Sequence, residues 1–219
     1  MAVVNSVVAL SAILLTVNSM SVVVSDKKCV PMQWESVLLG LVAQSDNGKS
    51  AIYEVVGSIH YDYNKAMEAA LENVYVDDKL IASYKIIVSQ DESYIADILK
   101  SRCAKLHGAK IEAFCTNSPG LNYLGSWNLG NQVTDTYTMS SEGISKSYLT
   151  MFRDTFLPGT QNIQQSVAGI DQLTTVQFAN ATAGIKDPDV FILPDFCNSS
   201  MPITENSMAS NFLKGVQLR

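Results

Sequence analysis

Short runs of strand-forming residues, each closed by turn residues, recur along this 219-residue chain. Residues 37–43 end at Ser45-Asp46-Asn47-Gly48, and residues 51–61, rich in Ile, Tyr and Val, follow directly. An Asn-Gly pair between two such runs marks a tight hairpin, because a type I′ turn needs positive φ at both central positions. Residues 80–88 and 94–99 flank Gln90-Asp91-Glu92-Ser93, which predicts a second hairpin. Residues 132–139 alternate Val133, Asp135, Tyr137 and Met139 on one face against threonines on the other. Residues 147–153 and 173–179 complete the strand set. Strands of this length and spacing predict a mainly β fold, an antiparallel sandwich or open barrel. No repeat, charge block or long linker interrupts residues 26–219, so they read as one domain.

Three stretches depart from this pattern. Residues 65–74 are strong helix formers, with Ala66, Ala69, Ala70 and Asn73 at helical spacing, so propensity favours a helix there. Residues 204–214 could form a short helix, with Thr204 as its N-cap and Gly215 after its end. Residues 108–130 carry Pro119 and four glycines and read as a long loop.

The first 25 residues contain no Asp, Glu, Lys or Arg. Their apolar run, residues 7–17, is too short to span a bilayer, which takes about 20 residues, but it suits the core of a secretory signal. Small residues place cleavage after Ser25, with Ser19 as the alternative. No later apolar stretch reaches membrane length, so the mature chain is expected to have no span. The segment also accounts for part of the imbalance between 47% hydrophobic and 16% charged residues. The net charge of −6 opposes nucleic-acid binding, since nothing offsets phosphate repulsion.

All four cysteines, Cys29, Cys103, Cys115 and Cys197, follow the signal-like segment. An even count in a secreted chain reads as disulfides, with three connectivities open. Cys103, His107 and Cys115 could be part of a metal site, but His60 and His107 are the only histidines and no Cys-x-x-Cys pair occurs. Two glycosylation sequons, Asn180-Ala181-Thr182 and Asn198-Ser199-Ser200, fit the same compartment. Asn117-Ser118-Pro119 does not qualify, because Pro119 holds the third position.

Chemistry-bearing motifs are weak. Residues 43–50 satisfy a relaxed phosphate-loop pattern, but the strand-like Ala51-Ile52-Tyr53-Glu54-Val55-Val56 follows where that motif needs a helix N-terminus. There is no Gly-x-Ser-x-Gly, and neither histidine has a local partner pattern. Asp77-Asp78, Asp91-Glu92 and Asp187-Pro188-Asp189 could bind calcium, yet none fits an EF-hand loop and solvated turn carboxylates are the simpler reading.

Three longer stretches resemble the ependymin-related family. They are Cys29-Val30-Pro31-Met32-Gln33-Trp34-Glu35, then Tyr61-Asp62, and Gly184-Ile185-Lys186-Asp187-Pro188-Asp189-Val190-Phe191 with Pro194 and Cys197. Ser126-Trp127 through Gly130 is a weaker fourth match. Departures are Ser36-Val37, where the family usually has Gly-Arg, and Phe156, where it commonly has a cysteine paired with the opening one. The resemblance implies two packed antiparallel sheets curved around an apolar cavity, similar to bacterial lipoprotein carriers. It also implies that residues 65–74 are a strand, against their propensity. Cys103 and Cys197 match family positions that pair with each other, which leaves Cys29 for Cys115. A bond between Cys103 and Cys197 closes a long loop, and on the chain-entropy view such a bond stabilises by about 4 kcal/mol.

The expected function is therefore a non-enzymatic secreted, disulfide-bonded glycoprotein holding a hydrophobic ligand, a lipid or fatty-acid-like molecule. Candidate lining residues are Val55, Ile59, Ile86, Val88, Tyr137 and Met139, although a one-residue register slip would invert every face. The alternative is an extracellular-matrix or adhesion glycoprotein with calcium as its ion and no small-molecule ligand; a hydrolase is a more distant reading. The expected destination is extracellular, with the lysosome as alternative, and a homodimer is the expected self-association. Calcium is the one cofactor considered, with no residues assigned to it.

Overall fold

The computed structural model describes residues 28–198, apart from residues 47, 142–144 and 168–169. The signal-like segment and the helix expected at 204–214 lie outside the described residues. The described chain is almost entirely strand: β1 (Gln33–Asp46), β2 (Lys49–Asp62), β3 (Met67–Val76), β4 (Lys79–Ser89), β5 (Glu92–Asp97), β6 (Arg102–His107), β7 (Asn122–Leu129), β8 (Gln132–Ser141), β9 (Ser145–Phe152), β10 (Pro158–Val167) and β11 (Ile170–Ala183). Its helix is limited to two single 3₁₀ turns, Pro188–Phe191 and Asp195–Cys197.

These strands form one antiparallel sheet in the order β6-β5-β4-β3-β2-β1-β11-β10-β9-β8-β7. It is two plain meanders, β1–β6 and β7–β11, joined where β1 pairs with β11. The two packed layers expected from the sequence are the two arms of this single sheet. They face each other across one apolar cluster drawn from both arms, including Tyr53, Val55, Tyr84 and Ile86 from one and Tyr137, Leu149, Val176 and Phe178 from the other.

Hairpin chemistry follows the turn residues. Asp46 pairs with Lys49, and Gly48 takes φ 78°, the positive value that such a turn needs. Val76 pairs with Lys79 across Asp77 and Asp78, which have φ 48° and 61°. That acidic pair is thus a hairpin turn, for which Asp suits positive φ.

Residues 65–74 fold as β3 rather than helix for most of their length. Glu68, Ala70, Glu72 and Val74 alternate on the inner face, and β3 is hydrogen-bonded on both sides, to β2 and β4. Two full ladders and a buried face outweigh an intrinsic preference worth a few tenths of a kcal/mol per residue. Three strands, β6, β7 and β10, are absent from the sequence reading. β7 lies inside the stretch read as loop; its residues are nearly all exposed, so little apolar alternation marks it.

Segment 108–121 closes one end of the space between the arms. Val30 N–H donates to Phe114 O at 2.9 Å, and the Tyr61 hydroxyl donates to Glu112 O at 3.0 Å. Phe114 stacks on Phe156, which meets Tyr137 edge-on. Disulfides Cys29–Cys115 and Cys103–Cys197 use all four cysteines, in the pairing that the resemblance implies.

Beyond β11 the chain crosses the outside of the β1–β6 arm as a strap. Ile185, Val190, Phe191 and Leu193 pack over Met67, Ala69 and Ile87, and Cys197 ties the strap to Cys103 on β6. Gly57 allows the backbones of β2 and β3 to approach closely: a Cβ there would lie 1.8 Å from Leu71 O.

Two outcomes test this arrangement. Gly57→Ala must force the β2 and β3 backbones apart, and is expected to cost more than about 3 kcal/mol in urea unfolding. Replacing Cys103 and Cys197 together by serine opens a separation of 94 residues. The expected loss is about 4 kcal/mol, read as a lower denaturation midpoint.

Candidate functional site

Register places all six candidate lining residues on one face. A single row crosses eight strands as Tyr137, Leu149, Gln161, Val176, Gly40, Val55, Val74 and Ala82. A second row runs Ile59, Ala70, Ile86, Ile95. Val55, Ile59, Ile86 and Tyr137 are buried in the shared core, with Val88 and Met139 partly buried against it. These side chains pack against each other and fill the middle of the interior.

Space remains at its two ends. At the closed end, Val30, Trp34, Tyr61, Glu68, Phe114, Met151 and Pro158 surround a cavity of about 10 Å³, roughly the room of one water. It brings together β1, β2 and β3 from one arm and β9 and β10 from the other. At the opposite end, an open cleft of about 970 Å³ lies among the tips of β1–β2, β8–β9 and β10–β11. Small-molecule pockets span roughly 300–1,000 Å³. Gln44, Ala51, Gln165, Gln172 and Ser145 line its inner side, with the apolar Ile52 and Leu173 and the charged Lys146 and Asp171 around them.

Polar groups run inward from the cleft. Gln165 Nε2 donates to Gln172 Oε1 at 3.0 Å, and Gln172 Nε2 donates to Thr174 Oγ1 at 3.0 Å. Deeper still, the fully buried Gln161 donates from Nε2 to Ser147 Oγ at 3.2 Å, while its Oε1 finds no hydrogen-bond partner among the described residues. Gln44 Nε2, Trp34 Nε1 and Glu68 Oε1 are in the same position.

Glu68 and Glu72 were not singled out from the sequence, because a helix over residues 65–74 hides their strand parity. Their signal is the alternation Glu68, Ala70, Glu72, Val74, which becomes visible once the segment is read with period two. Both side chains are almost completely buried. Burial, reinforced by the negative charge of Glu72, raises the Glu68 carboxyl to about 8, so it is largely uncharged at neutral pH. Burial likewise raises Tyr137 to about 12.

A second ionisable cluster lies outside, under the strap. Glu35 pairs with Lys186 Nζ at 2.9 Å and accepts from Lys186 N at 3.0 Å. His60 Nδ1 lies 3.5 Å from Glu35, and His60 Nε2 shares a 3.1 Å hydrogen bond with Ser58 Oγ. Burial lowers His60 in spite of Glu35 and Asp187. Burial acts to raise Glu35, but the Lys186 backbone N–H and ammonium hold it below its usual value. The order Ser58, His60, Glu35 imitates a hydrolase triad. However, β2 is paired on both sides, so its backbone N–H groups are committed to ladders and offer no oxyanion hole. The cluster anchors the strap that carries the Gly184–Phe191 motif.

The carboxylates considered for calcium are dispersed. Asp187 caps the 3₁₀ turn through a 3.0 Å bond from Asp189 N. Among the described residues no group of three or more His, Cys, Asp or Glu side chains is placed to hold a metal, nor is any helix long and apolar enough to cross a membrane. Asn180 and Asn198 are both exposed.

No family model and no curated protein matches the chain. Solved structures do. An uncharacterised conserved protein from Thermus thermophilus aligns with a TM-score of 0.50 at 9% identity, over 75% of this chain and 87% of its own, which shows the shared fold. A DUF1329 family protein from Desulfovibrio piger aligns at 0.37 and 11% identity, over 74% and 90%. A putative outer membrane lipoprotein-sorting protein domain from Vibrio parahaemolyticus aligns at 0.34 and 8% identity, over 72% and 88%.

The buried carboxyl makes stability pH-dependent. The folded protein keeps a proton on Glu68 that the unfolded chain releases near the ordinary glutamate value of 4.5. Its contribution is therefore fully present below that value and is lost as pH rises through about 8. A thermal-unfolding series is expected to show Tm falling across this window, with a flatter profile in Glu68→Gln.

Proposed function

We propose that this is a secreted, disulfide-bonded glycoprotein of ependymin-related type that carries a hydrophobic guest, a lipid or fatty-acid-like molecule, between the arms of its curved sheet. The observation that supports the reading is the inner face: a row of mainly apolar residues, interrupted by Gly40 and Gln161, crosses eight strands in register, and a cleft of ligand size opens at the hairpin tips beyond it. Its side chains pack on one another across the two arms. A guest entering at the cleft substitutes its own hydrocarbon for those contacts, so little apolar surface need meet water. The guest works by binding alone, and no catalytic step is assigned.

Secretion is supported by the opening apolar segment and by two disulfides in one domain. Glycosylation is supported by the exposure of both sequon asparagines. The ependymin-related assignment rests on the motifs, which the fold gives a shared physical role: Glu35, from the opening motif, holds Lys186 of the Gly184–Phe191 motif.

Protein purified from a secreting cell and extracted with organic solvent is expected to release close to one equivalent of a lipid detectable by mass spectrometry. Extracted protein should then take up a fluorescent fatty-acid analogue at one saturable site. A lipid-free preparation that also fails to take up the analogue would exclude carriage and leave the matrix-adhesion alternative.

A further inference from the structure

The cleft at the hairpin tips is lined unlike the rest of the inner face. One register row crosses it as Ala51, Gln44, Gln172, Gln165 and Ser145, so three glutamines stand side by side on neighbouring strands. Two positions further in, the row Tyr53, Val42, Thr174, Ile163 and Ser147 is buried throughout. The cleft thus meets amides and a hydroxyl before any of the apolar core. The amides are held in place: Gln165 donates to Gln172, and Gln172 donates to Thr174. Gln44 is only 7% exposed, and its Nε2 has no hydrogen-bond partner among the described residues. A buried donor left without a partner costs free energy.

Charge is kept off this inner side. Lys146 and Asp171 are the two charged residues of the lining, and each stands next in sequence to an inward, buried residue, Ser147 and Gln172. Both therefore occupy outward positions, and Lys146 Nζ lies over the Tyr148 ring at 5.1 Å from its centroid. Polar ligands differ in what they can offer such a lining. A carboxylate only accepts, an ammonium only donates, and each brings a charge that nothing on the inner side offsets. A sugar hydroxyl both donates and accepts, as do the amide and serine groups that it would meet.

We infer that the cleft binds an uncharged, polyhydroxylated group, a hexose unit, whose hydroxyls exchange hydrogen bonds with the amides of Gln44, Gln165 and Gln172 and with Ser145. The open volume of about 970 Å³ accommodates such a unit without displacing any buried side chain. The unit belongs either to a free saccharide or to the head of a lipid, and the same amides meet it in both. The site therefore does not depend on the carriage reading, and needs no room for hydrocarbon between the arms.

The test titrates the protein at pH 7 with four octyl probes below their micelle concentrations: octyl β-glucoside, octanoate, octylammonium and octylphosphocholine. Side-chain amide signals in NMR spectra report the site. Octyl β-glucoside is expected to shift the Gln44, Gln165 and Gln172 amides and to bind about 10-fold more tightly than each charged probe, the worth of one or two net hydrogen bonds. In Gln165→Leu, which keeps the bulk and removes the amide, its affinity should fall about 5-fold while that of octanoate stays the same. Methyl β-glucoside, which has no chain, separates the two sources. If it shifts the same amides, a free saccharide suffices; if only the octyl glycoside does, the hexose is a lipid head. Equal binding of all four octyl probes, or tightest binding of a charged one, overturns the hexose assignment. So does a glucoside that leaves the three amides unmoved. Neither result bears on carriage, which solvent extraction tests separately. The wild-type ranking is decisive even if the variant does not fold.

Discussion

The pairing of β1 with both β2 and β11 is the contact on which everything else depends. It brings the first and last strands of the described sheet together at its centre, so two local meanders become one structure. It also sets parity. Trp34, Leu38 and Val42 face inward from β1, while Glu35, Val37 and Leu39 face outward. Each neighbouring strand inherits that choice through its ladder, because a side chain's face alternates with period two. A slip of one residue at β1 would place Glu35 in the apolar interior and Trp34 in solvent.

The same parity generates two polar systems of opposite use. Outward, Glu35 meets Lys186 and His60 and holds the strap across the β1–β6 arm, while Cys103–Cys197 fastens its far end. Part of what would be an exposed sheet face is thereby covered. Inward, Glu68, Gln161 and Gln44 stand among Val, Ile and aromatic side chains with hydrogen-bonding atoms that no described residue satisfies. An interior selected only for stability has little reason to keep such groups.

Much of the sheet was legible because its turns and alternation are local signals. Asn47-Gly48, Gln90-Asp91 and the alternation through Val133, Asp135, Tyr137 and Met139 each need only neighbouring residues to be read. The six lining residues share a face because each pair lies two or four positions apart on one strand; that all three pairs face the same way depended on ladders between strands. β3 was hidden by Ala and Glu, whose helical preference is real but small beside two hydrogen-bonded edges. With it were hidden Glu68 and Glu72. β10 carries Gln161, Gln164 and Gln165 where an apolar run would announce a strand, and β7 is too exposed to show a pattern.

What the sequence determined by itself was therefore chemical: mainly β structure, an oxidising compartment expected from its cysteines and opening segment, and motifs resembling one extracellular family. What only the tertiary structure decided was spatial. It joined two expected layers into one continuous sheet, packed the inner face of its arms together, and set Trp34 and Glu68 around a water-sized space although they lie 34 residues apart in the chain. The physical reason is that propensity and turn chemistry act over a few residues, whereas burial and partnering of a polar atom depend on ladders that join distant strands.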